Sequence, residues 1–283
     1  MTEKKNSPVT ITDIQAKKGK KEKIVSLTAY DFPVAKIVSE SGVDLILVGD
    51  SLGMVVLGYE NTIPVTMDEM IHHTKAVVRA SPKPLVVGDM PYYSFHISEE
   101  ETLRNAFRFL KEGGAQAVKV EGASPRRLKM IETMVDSGIP VMGHVGLTPQ
   151  SIHQLGHFRV QGKQAKEAKR IASQAQNLEK AGVFSVILEC IPMELSRVIT
   201  EKLKIPTIGI GAGPYCDGQI LVFHDLVGYA HGYLPKFVKR YAHLHSILSD
   251  AVQSYIHDVK EKKFPDDPHS YHVKSSKILD EVD

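Results

Sequence analysis

The chain has 283 residues, of which 42% are hydrophobic and 24% charged, with a formal net charge of +2 and two cysteines. This is the composition of an ordinary globular protein, with room for one large barrel or two domains. The lysine-rich segment 17–23 has no interleaved aromatic residues, so nucleic acid is not an expected partner. The chain has few cysteines, no apolar signal segment and no segment long enough to span a membrane. These features predict a cytoplasmic protein without membrane contact.

Strand-like and helix-like segments alternate along the chain. After residues 1–20, which are expected to form a short arm or a lid over the base of the fold, eight continuous apolar runs are typical of strands buried on both faces. These predicted strands are Ile24–Thr28, Leu45–Val48, Leu85–Gly88, Ala117–Val120, Val141–His144, Val186–Leu188, Thr207–Ile210 and, less clearly, Ile220–Phe223.

Helix signals stand between the predicted strands. Capping residues precede helices at Thr66, Ser98 and Ser124. Apolar residues at helical spacing predict a further helix over 166–181, and the segment 247–262 also has a helical pattern.

Eight strands separated by helices predict an α/β fold of the (β/α)₈ TIM-barrel type, and the length suits the roughly 250 residues of such barrels. An open doubly wound sheet is the alternative. No linker divides the chain, so we expect one domain over 1–283, with an N-terminal arm at about 1–20. The polar tail at about 273–283 is predicted to be disordered.

Acidic residues recur where the predicted strands end, at Asp50, Asp89, Glu121 and Glu189. The carboxyl ends of parallel strands form the active-site face of such proteins, so these acids are expected to share one site. Asp50 and Asp89 offer the hard oxygen ligands that suit Mg²⁺, and Glu121 could complete the shell. The alternative for both aspartates is that they cap the following helices.

Lys119 and Glu121 lie two residues apart on one strand, so both side chains point to the same side. An inward Lys119 would hold a substrate carboxylate or neutralise an oxyanion, whereas an outward one would be a surface residue. Glu189 ends an apolar strand and suits a general base, the alternative being a structural carboxylate bonded to backbone N–H groups. His144 either contacts substrate or is a satisfied core histidine.

Two further features bear on ligand binding. Ser51 adjoins Asp50, and its hydroxyl or its backbone N–H could meet a substrate oxygen. The glycines of 209–213 could cradle a phosphate, or they could serve close backbone packing. Taken together, the residues predict a barrel enzyme in which Mg²⁺ polarises a small oxo or carboxylate substrate and a glutamate removes a proton to give an enolate.

Eight motifs stand in an order that resembles the ketopantoate hydroxymethyltransferase family over roughly residues 10–272. They are Thr-Ala-Tyr-Asp (28–31), Val-Gly-Asp-Ser-Leu-Gly-Met (48–54), Gly-Asp-Met-Pro (88–91), Val-Lys-Val-Glu-Gly (118–122), Gly-His-Val-Gly-Leu-Thr-Pro-Gln (143–150), Leu-Glu-Cys-Ile-Pro (188–192), Ile-Gly-Ile-Gly-Ala-Gly (208–213) and Cys-Asp-Gly-Gln-Ile-Leu-Val (216–222).

The resemblance implies a barrel of the phosphoenolpyruvate mutase/isocitrate lyase type. It implies transfer of a hydroxymethyl group from 5,10-methylenetetrahydrofolate to 3-methyl-2-oxobutanoate through a Mg²⁺-stabilised enolate, giving 2-dehydropantoate for pantothenate and coenzyme A biosynthesis. Members of the family are decamers built as pentamers of dimers, so a homodecamer is implied.

The same resemblance assigns roles to the strand-end residues. Asp50 and Asp89 are implied as Mg²⁺ ligands, with Glu121 as a third metal-associated acid, and Glu189 as the base that takes the C3 proton. The implied keto-acid contacts are Asp50, Ser51, Asp89 and Lys119. The competing interpretations are a lyase or mutase on the same barrel, a group that often uses a loop cysteine, and a non-catalytic metabolite-binding barrel.

Overall fold

The computed structural model describes residues 7–81, 83–229 and 234–274, and in these ranges eight parallel strands close into a barrel in chain order. The last strand pairs back to the first, so the predicted (β/α)₈ barrel is confirmed and the open sheet is wrong. The strands are β1 Ile24–Thr28, β2 Leu45–Val48, β3 Leu85–Asp89, β4 Ala117–Glu121, β5 Val141–Gly146, β6 Ser185–Glu189, β7 Thr207–Ile210 and β8 Gly218–Leu221.

Helices connect and surround the strands. They are α1 Ile11–Lys20, α2 Phe32–Glu40, α3 Leu52–Val55, α4 Met67–Ala80, α5 Glu99–Arg108, α6 Pro125–Asp136, α7 Ile152–Leu155, α8 Ala165–Lys180, α9 Met193–Lys202, α10 Phe223–Leu226 and α11 Leu244–Lys260. A π-helical turn, Phe109–Gly113, extends α5, and 3₁₀ turns cover Pro149–Ser151 and Asp267–His269. None of these helices is long and apolar enough to cross a membrane.

The predicted helix signals agree with these bounds. Thr66, Ser98 and Ser124 are the N-caps of α4, α5 and α6, and each side chain accepts a hydrogen bond from a backbone N–H of the first turn. The helices predicted over 166–181 and 247–262 are α8 and α11, with ends that differ by at most three residues.

The eighth strand was predicted two residues too late. The strand is Gly218–Leu221, and Phe223 begins α10 instead of ending the strand. Gly218 carries no side chain because a Cβ there would lie 2.6 Å from the Ile24 carbonyl oxygen, and Gln219 is exposed. These two residues therefore lack the apolar pattern that marks the other strands.

The two faces of the strands bury different clusters. Side chains such as Leu85, Val87 and Ala117 fill the barrel interior, whereas Val86 and Val118 belong to the larger cluster that packs against the helices. Because successive side chains of a strand alternate, the interior positions continue at every second residue towards the strand ends.

The base of the barrel is covered by α1. Its Ile14 is fully buried in the same interior cluster as the strands, and Lys18 Nζ lies 2.7 Å from Asp217 Oδ2 just before β8. Residues 1–6 of the predicted arm lie outside the described residues. Most of the tail predicted to be disordered, from residue 275 onward, also lies outside them.

Candidate active site

The interior rows of the barrel end in polar side chains at the carboxyl ends of four strands. Leu85 and Val87 are followed by Asp89, and Ala117 is followed by Lys119 and Glu121. The corresponding positions on the next two strands are occupied by His144 and Glu189. Alternation along each strand therefore points all of these side chains to one place, the mouth of the barrel.

Lys119 is the positive centre of this group. Its Nζ lies 2.7 Å from each carboxylate oxygen of Asp89 and 3.6 Å from Glu121 Oε1, and the side chain is only 4% exposed. The lysine thus points inward, and the alternative of an outward surface residue is wrong. Strand register explains the contact, because Asp89 and Lys119 are direct partners of the β3–β4 ladder.

The charges of the group are unbalanced. Burial, followed by the negative charges of Asp89 and Glu121, raises the pKa of Asp50 well above its ordinary value. Burial also raises the pKa of Asp89, despite its contact with Lys119. Burial alone would lower the pKa of Lys119, but the surrounding carboxylates raise it above the ordinary lysine value. Even with the neighbouring His144 protonated, three buried carboxylates exceed the positive charges beside them, so a cation or protons must balance the remaining charge.

Asp50 and Ser51 enter the site on the turn after β2. The Asp50 backbone N–H donates to Asp89 Oδ2 at 3.2 Å, and the Ser51 hydroxyl lies 2.8 Å from the Tyr30 hydroxyl. A Cβ at Gly49 would lie 2.8 Å from Ser51 Oγ, so glycine permits this tight approach. Neither Asp50 nor Asp89 is a helix cap, because Asp89 lies on β3 and the N-cap of α3 is Ser51.

His144 lies between two carboxylates. Its Nδ1 is 3.3 Å from Glu121 Oε1 and its Nε2 is 3.1 Å from Glu189 Oε2, although the angles are poor for hydrogen bonds. Burial would lower the pKa of His144, but the contacts with Glu121 and Glu189 raise it to about 9. The histidine is therefore neither an isolated core residue nor a free base, because it links the two glutamates.

Glu189 is the most accessible acid of the group, with 17% of its side chain exposed. Within the described residues, no backbone N–H donates to its carboxylate, so the alternative of a backbone-bonded structural acid is wrong. Its position at the end of β6 leaves it open to the mouth of the barrel.

Burial and the neighbouring Glu189 charge raise the pKa of Cys190 to about 12, so this thiol is not a nucleophile at neutral pH.

Gln150 and Tyr30 are site residues that the sequence reasoning did not single out. Gln150 is 3% exposed and contacts both Asp50 and Glu121, while Tyr30 is 1% exposed and pairs with Ser51. Tyr30 lies in the family motif at 28–31 and Gln150 in the motif at 143–150, and this membership was the signal that could have identified them. Gln150 follows Asp50 by 100 residues, however, and that spacing carries no information about contact.

The glycine segment after β7 serves close packing. Cβ atoms at Gly211 and Gly213 would lie 2.7 Å from Phe237 Cδ1 and 2.3 Å from Met193 Cβ, and both glycines have positive φ. Side chains would therefore be both strained and obstructed at these positions. This agrees with the packing alternative and leaves the phosphate cradle without support.

The donor set fits a hard divalent cation. Asp50 and Asp89 supply carboxylate oxygens, Glu121 lies within the same group, and the excess negative charge would be offset by a dication. Within the described ranges, no three acidic, histidine or cysteine side chains already converge as a formed metal centre. Lys119 Nζ lies 2.7 Å from both Asp89 oxygens, so direct ligation by Asp89 requires the lysine to release one of them.

Two comparisons place the chain among known sequences. The model of the ketopantoate hydroxymethyltransferase family matches residues 8–267. The 3-methyl-2-oxobutanoate hydroxymethyltransferase of Thermoanaerobacter sp. (strain X514) is 56% identical over 263 residues, covering 92% of this chain and 96% of the relative. The Syntrophomonas wolfei enzyme of the same name is 52% identical over 274 residues, covering 97% and 99%.

Solved structures share the fold at low sequence identity. Phosphonopyruvate hydrolase, in a complex with oxalate and Mg²⁺, has a TM-score of 0.60 at 12% identity, covering 96% of this chain and 95% of that one. The 2,3-dimethylmalate lyase of the PEP mutase/isocitrate lyase superfamily has a TM-score of 0.56 at 14% identity, covering 96% and 90%. The fold is therefore a (β/α)₈ barrel of the phosphoenolpyruvate mutase/isocitrate lyase type, as the family resemblance implied.

Proposed function

This chain belongs to the ketopantoate hydroxymethyltransferase family, and from that premise we propose that it transfers a hydroxymethyl group from 5,10-methylenetetrahydrofolate to 3-methyl-2-oxobutanoate. The product would be 2-dehydropantoate, for pantothenate and coenzyme A biosynthesis in the cytoplasm. The observation that carries the proposal is the buried group of Asp89, Lys119 and Glu121, beside an accessible Glu189 at the same barrel mouth.

The carboxylates provide the metal site of the proposed reaction. Asp50 and Asp89 would bind Mg²⁺, with Glu121 associated through water, and the bound ion would supply a Lewis acid to the oxygens of the 2-oxo acid. The excess negative charge of these acids supports this assignment. So does the likeness to phosphonopyruvate hydrolase, whose structure holds Mg²⁺ and oxalate, itself a small dicarboxylate.

The remaining side chains bind the substrate and move its proton. Lys119 supplies a fixed positive charge, and Ser51 a hydroxyl already oriented by Tyr30, for the oxygens of the keto acid. Glu189 takes the proton from C3 as general base. The carbon then forms its bond to the methylene group of the folate, and both methylene–nitrogen bonds break in turn. Water supplies the hydroxyl group of the product, and tetrahydrofolate leaves with the proton taken from C3 and the remaining proton of that water.

The test is proton NMR of 3-methyl-2-oxobutanoate with the purified protein, Mg²⁺ and methylenetetrahydrofolate. We expect new hydroxymethyl signals that require the folate and disappear when EDTA removes the metal. A folded protein that binds Mg²⁺ but yields no product would overturn the transferase assignment and direct attention to lyase or mutase substrates on the same barrel.

We further propose that the chain assembles as a homodecamer, a pentamer of dimers, as the family resemblance implies. Supporting this, α11 has no buried residue, and its Ile247, Val252, Tyr255 and Ile256 are 44–59% exposed. Exposed apolar residues that cluster on one helix are typical of an interaction site. Native mass spectrometry should give ten copies of the 31.3 kDa chain, and Val252→Asp should reduce the assembly while Gln253→Asp should not. A monomer at micromolar concentration contradicts the proposal.

A further inference from the structure

Gln150 connects three strand ends of the barrel mouth. It lies in the 3₁₀ turn Pro149–Ser151 that follows β5, and it is 3% exposed. Its backbone N–H donates to Glu121 Oε2 at 3.1 Å. Its side-chain Nε2 donates at 2.9 Å to Asp50 Oδ2 and at 2.9 Å to the Met90 carbonyl oxygen. One residue thus holds the ends of β2, β3 and β4.

The chemistry of these partners fixes the orientation of the amide. A carboxylate oxygen and a carbonyl oxygen can only accept hydrogen bonds, so the nitrogen of the Gln150 side chain must face both of them. Both hydrogens of that nitrogen are then used. The oxygen of the same amide, Oε1, is consequently turned to the other side, where it is buried and has no hydrogen-bond partner.

A buried acceptor without a donor is unfavourable, and native proteins rarely keep one. The neighbouring acids supply acceptors, so the donor to Oε1 is a water molecule or a group of a bound ligand. Water molecules held by a divalent cation are donors, and Mg²⁺ keeps several of them when it binds to proteins. The unpaired Oε1, on the amide whose nitrogen bonds to Asp50, therefore fits a water of a hydrated Mg²⁺.

We propose that Gln150 is the positioning residue of the metal site, holding the Asp50 and Glu121 carboxylates in their binding orientation and accepting a hydrogen bond from the hydrated ion. The proposal rests on the proposed function only in taking these acids as the Mg²⁺ site. Residues that orient metal ligands by hydrogen bonds typically change metal affinity by about 10- to 100-fold when they are replaced.

Gln150→Met tests the proposal, because it keeps the size of the side chain and the backbone N–H while it removes the amide. Isothermal titration of the substrate-free protein with Mg²⁺ should give a Kd about 10- to 100-fold higher than that of the parent. The control is Gln161→Met, since Gln161 is 2% exposed and its side chain donates to the Arg159 carbonyl oxygen and to no other group that the structure describes. This variant should bind Mg²⁺ like the parent.

Thermal unfolding monitored by circular dichroism separates positioning from a merely structural role. A folded Gln150→Met protein with the Mg²⁺ affinity of the parent overturns the proposal, whatever its Tm. If Gln150→Met does not fold, Gln150→Asn, which retracts the amide by one methylene, must show the weakened affinity. A parent protein whose Mg²⁺ binding is absent, or is unaffected by Asp89→Asn, would overturn the metal site itself and the role of Gln150 with it.

Discussion

Replacing Glu189 with glutamine is expected to slow removal of the C3 proton of 3-methyl-2-oxobutanoate by roughly 100- to 10,000-fold. The carboxamide keeps the shape of the side chain but has no lone pair basic enough to take the proton. Among the acids that the structure describes at the barrel mouth, only Glu189 has a substantially exposed side chain, at 17%. Loss of the C3 proton signal in D₂O, followed by proton NMR without folate, isolates this step from one-carbon transfer.

The control for Glu189→Gln is Glu194→Gln, an identical change five residues later on the exposed surface of α9. The control should exchange the C3 proton at the parent rate. Mg²⁺ affinity should stay within about threefold in both variants, because neither glutamate is an assigned metal ligand. A folded Glu189→Gln protein that exchanges the proton within tenfold of the parent rate would show that Glu189 is not the base.

Lys119→Met is expected to destabilise the metal-free protein by about 3–5 kcal/mol, because breaking a buried ion pair leaves an uncompensated buried charge. The lysine is 4% exposed and pairs with Asp89 at 2.7 Å, so solvent cannot take over its role. For a chain of this size each kcal/mol lowers Tm by roughly 2–4 °C. Thermal unfolding in EDTA, monitored by circular dichroism, measures the change.

The destabilisation caused by Lys119→Met should grow as the pH rises. In the parent, burial would raise the pKa of Glu121, but Lys119 and His144 lower it, so this acid stabilises the fold above its unfolded pKa. Without the lysine, the pKa of Asp89 rises further because the lysine's positive charge no longer opposes the effect of burial. The pKa of Glu121 rises for the same reason. A group with a raised pKa stabilises the fold at low pH and loses that contribution as pH rises. The Tm difference between parent and variant should therefore be larger at pH 8 than at pH 5.

The control for Lys119→Met is Lys129→Met, which removes an exposed lysine paired with Glu99. Exposed ion pairs contribute little, so Tm should barely change at either pH. An equal loss for Lys119→Met at pH 5 and pH 8 would contradict the electrostatic argument, since lost packing alone does not depend on pH.

The sequence by itself determined the alternation of strands and helices, because buried parallel strands are continuous apolar runs whose positions can be read locally. It favoured the barrel over an open sheet, but closure was decided by the pairing of β8 with β1. Alternation predicted that Lys119 and Glu121 point to the same side of β4, and the strand ends predicted that Asp89 and Glu121 share one site, but whether Lys119 points inward was left open. The strand predicted worst was β8, where Gly218 and Gln219 break the apolar pattern for reasons of packing against Ile24.

Only the tertiary structure decided which of these groups touch. That Lys119 pairs first with Asp89 follows from the β3–β4 register, and that His144 joins Glu121 to Glu189 follows from the order of β4, β5 and β6 around the closed barrel. Gln150 reaches Asp50 across 100 residues because barrel closure brings distant strand ends together. Contacts of this kind depend on strand register and closure, which are global properties of the fold and leave no spacing pattern in the chain.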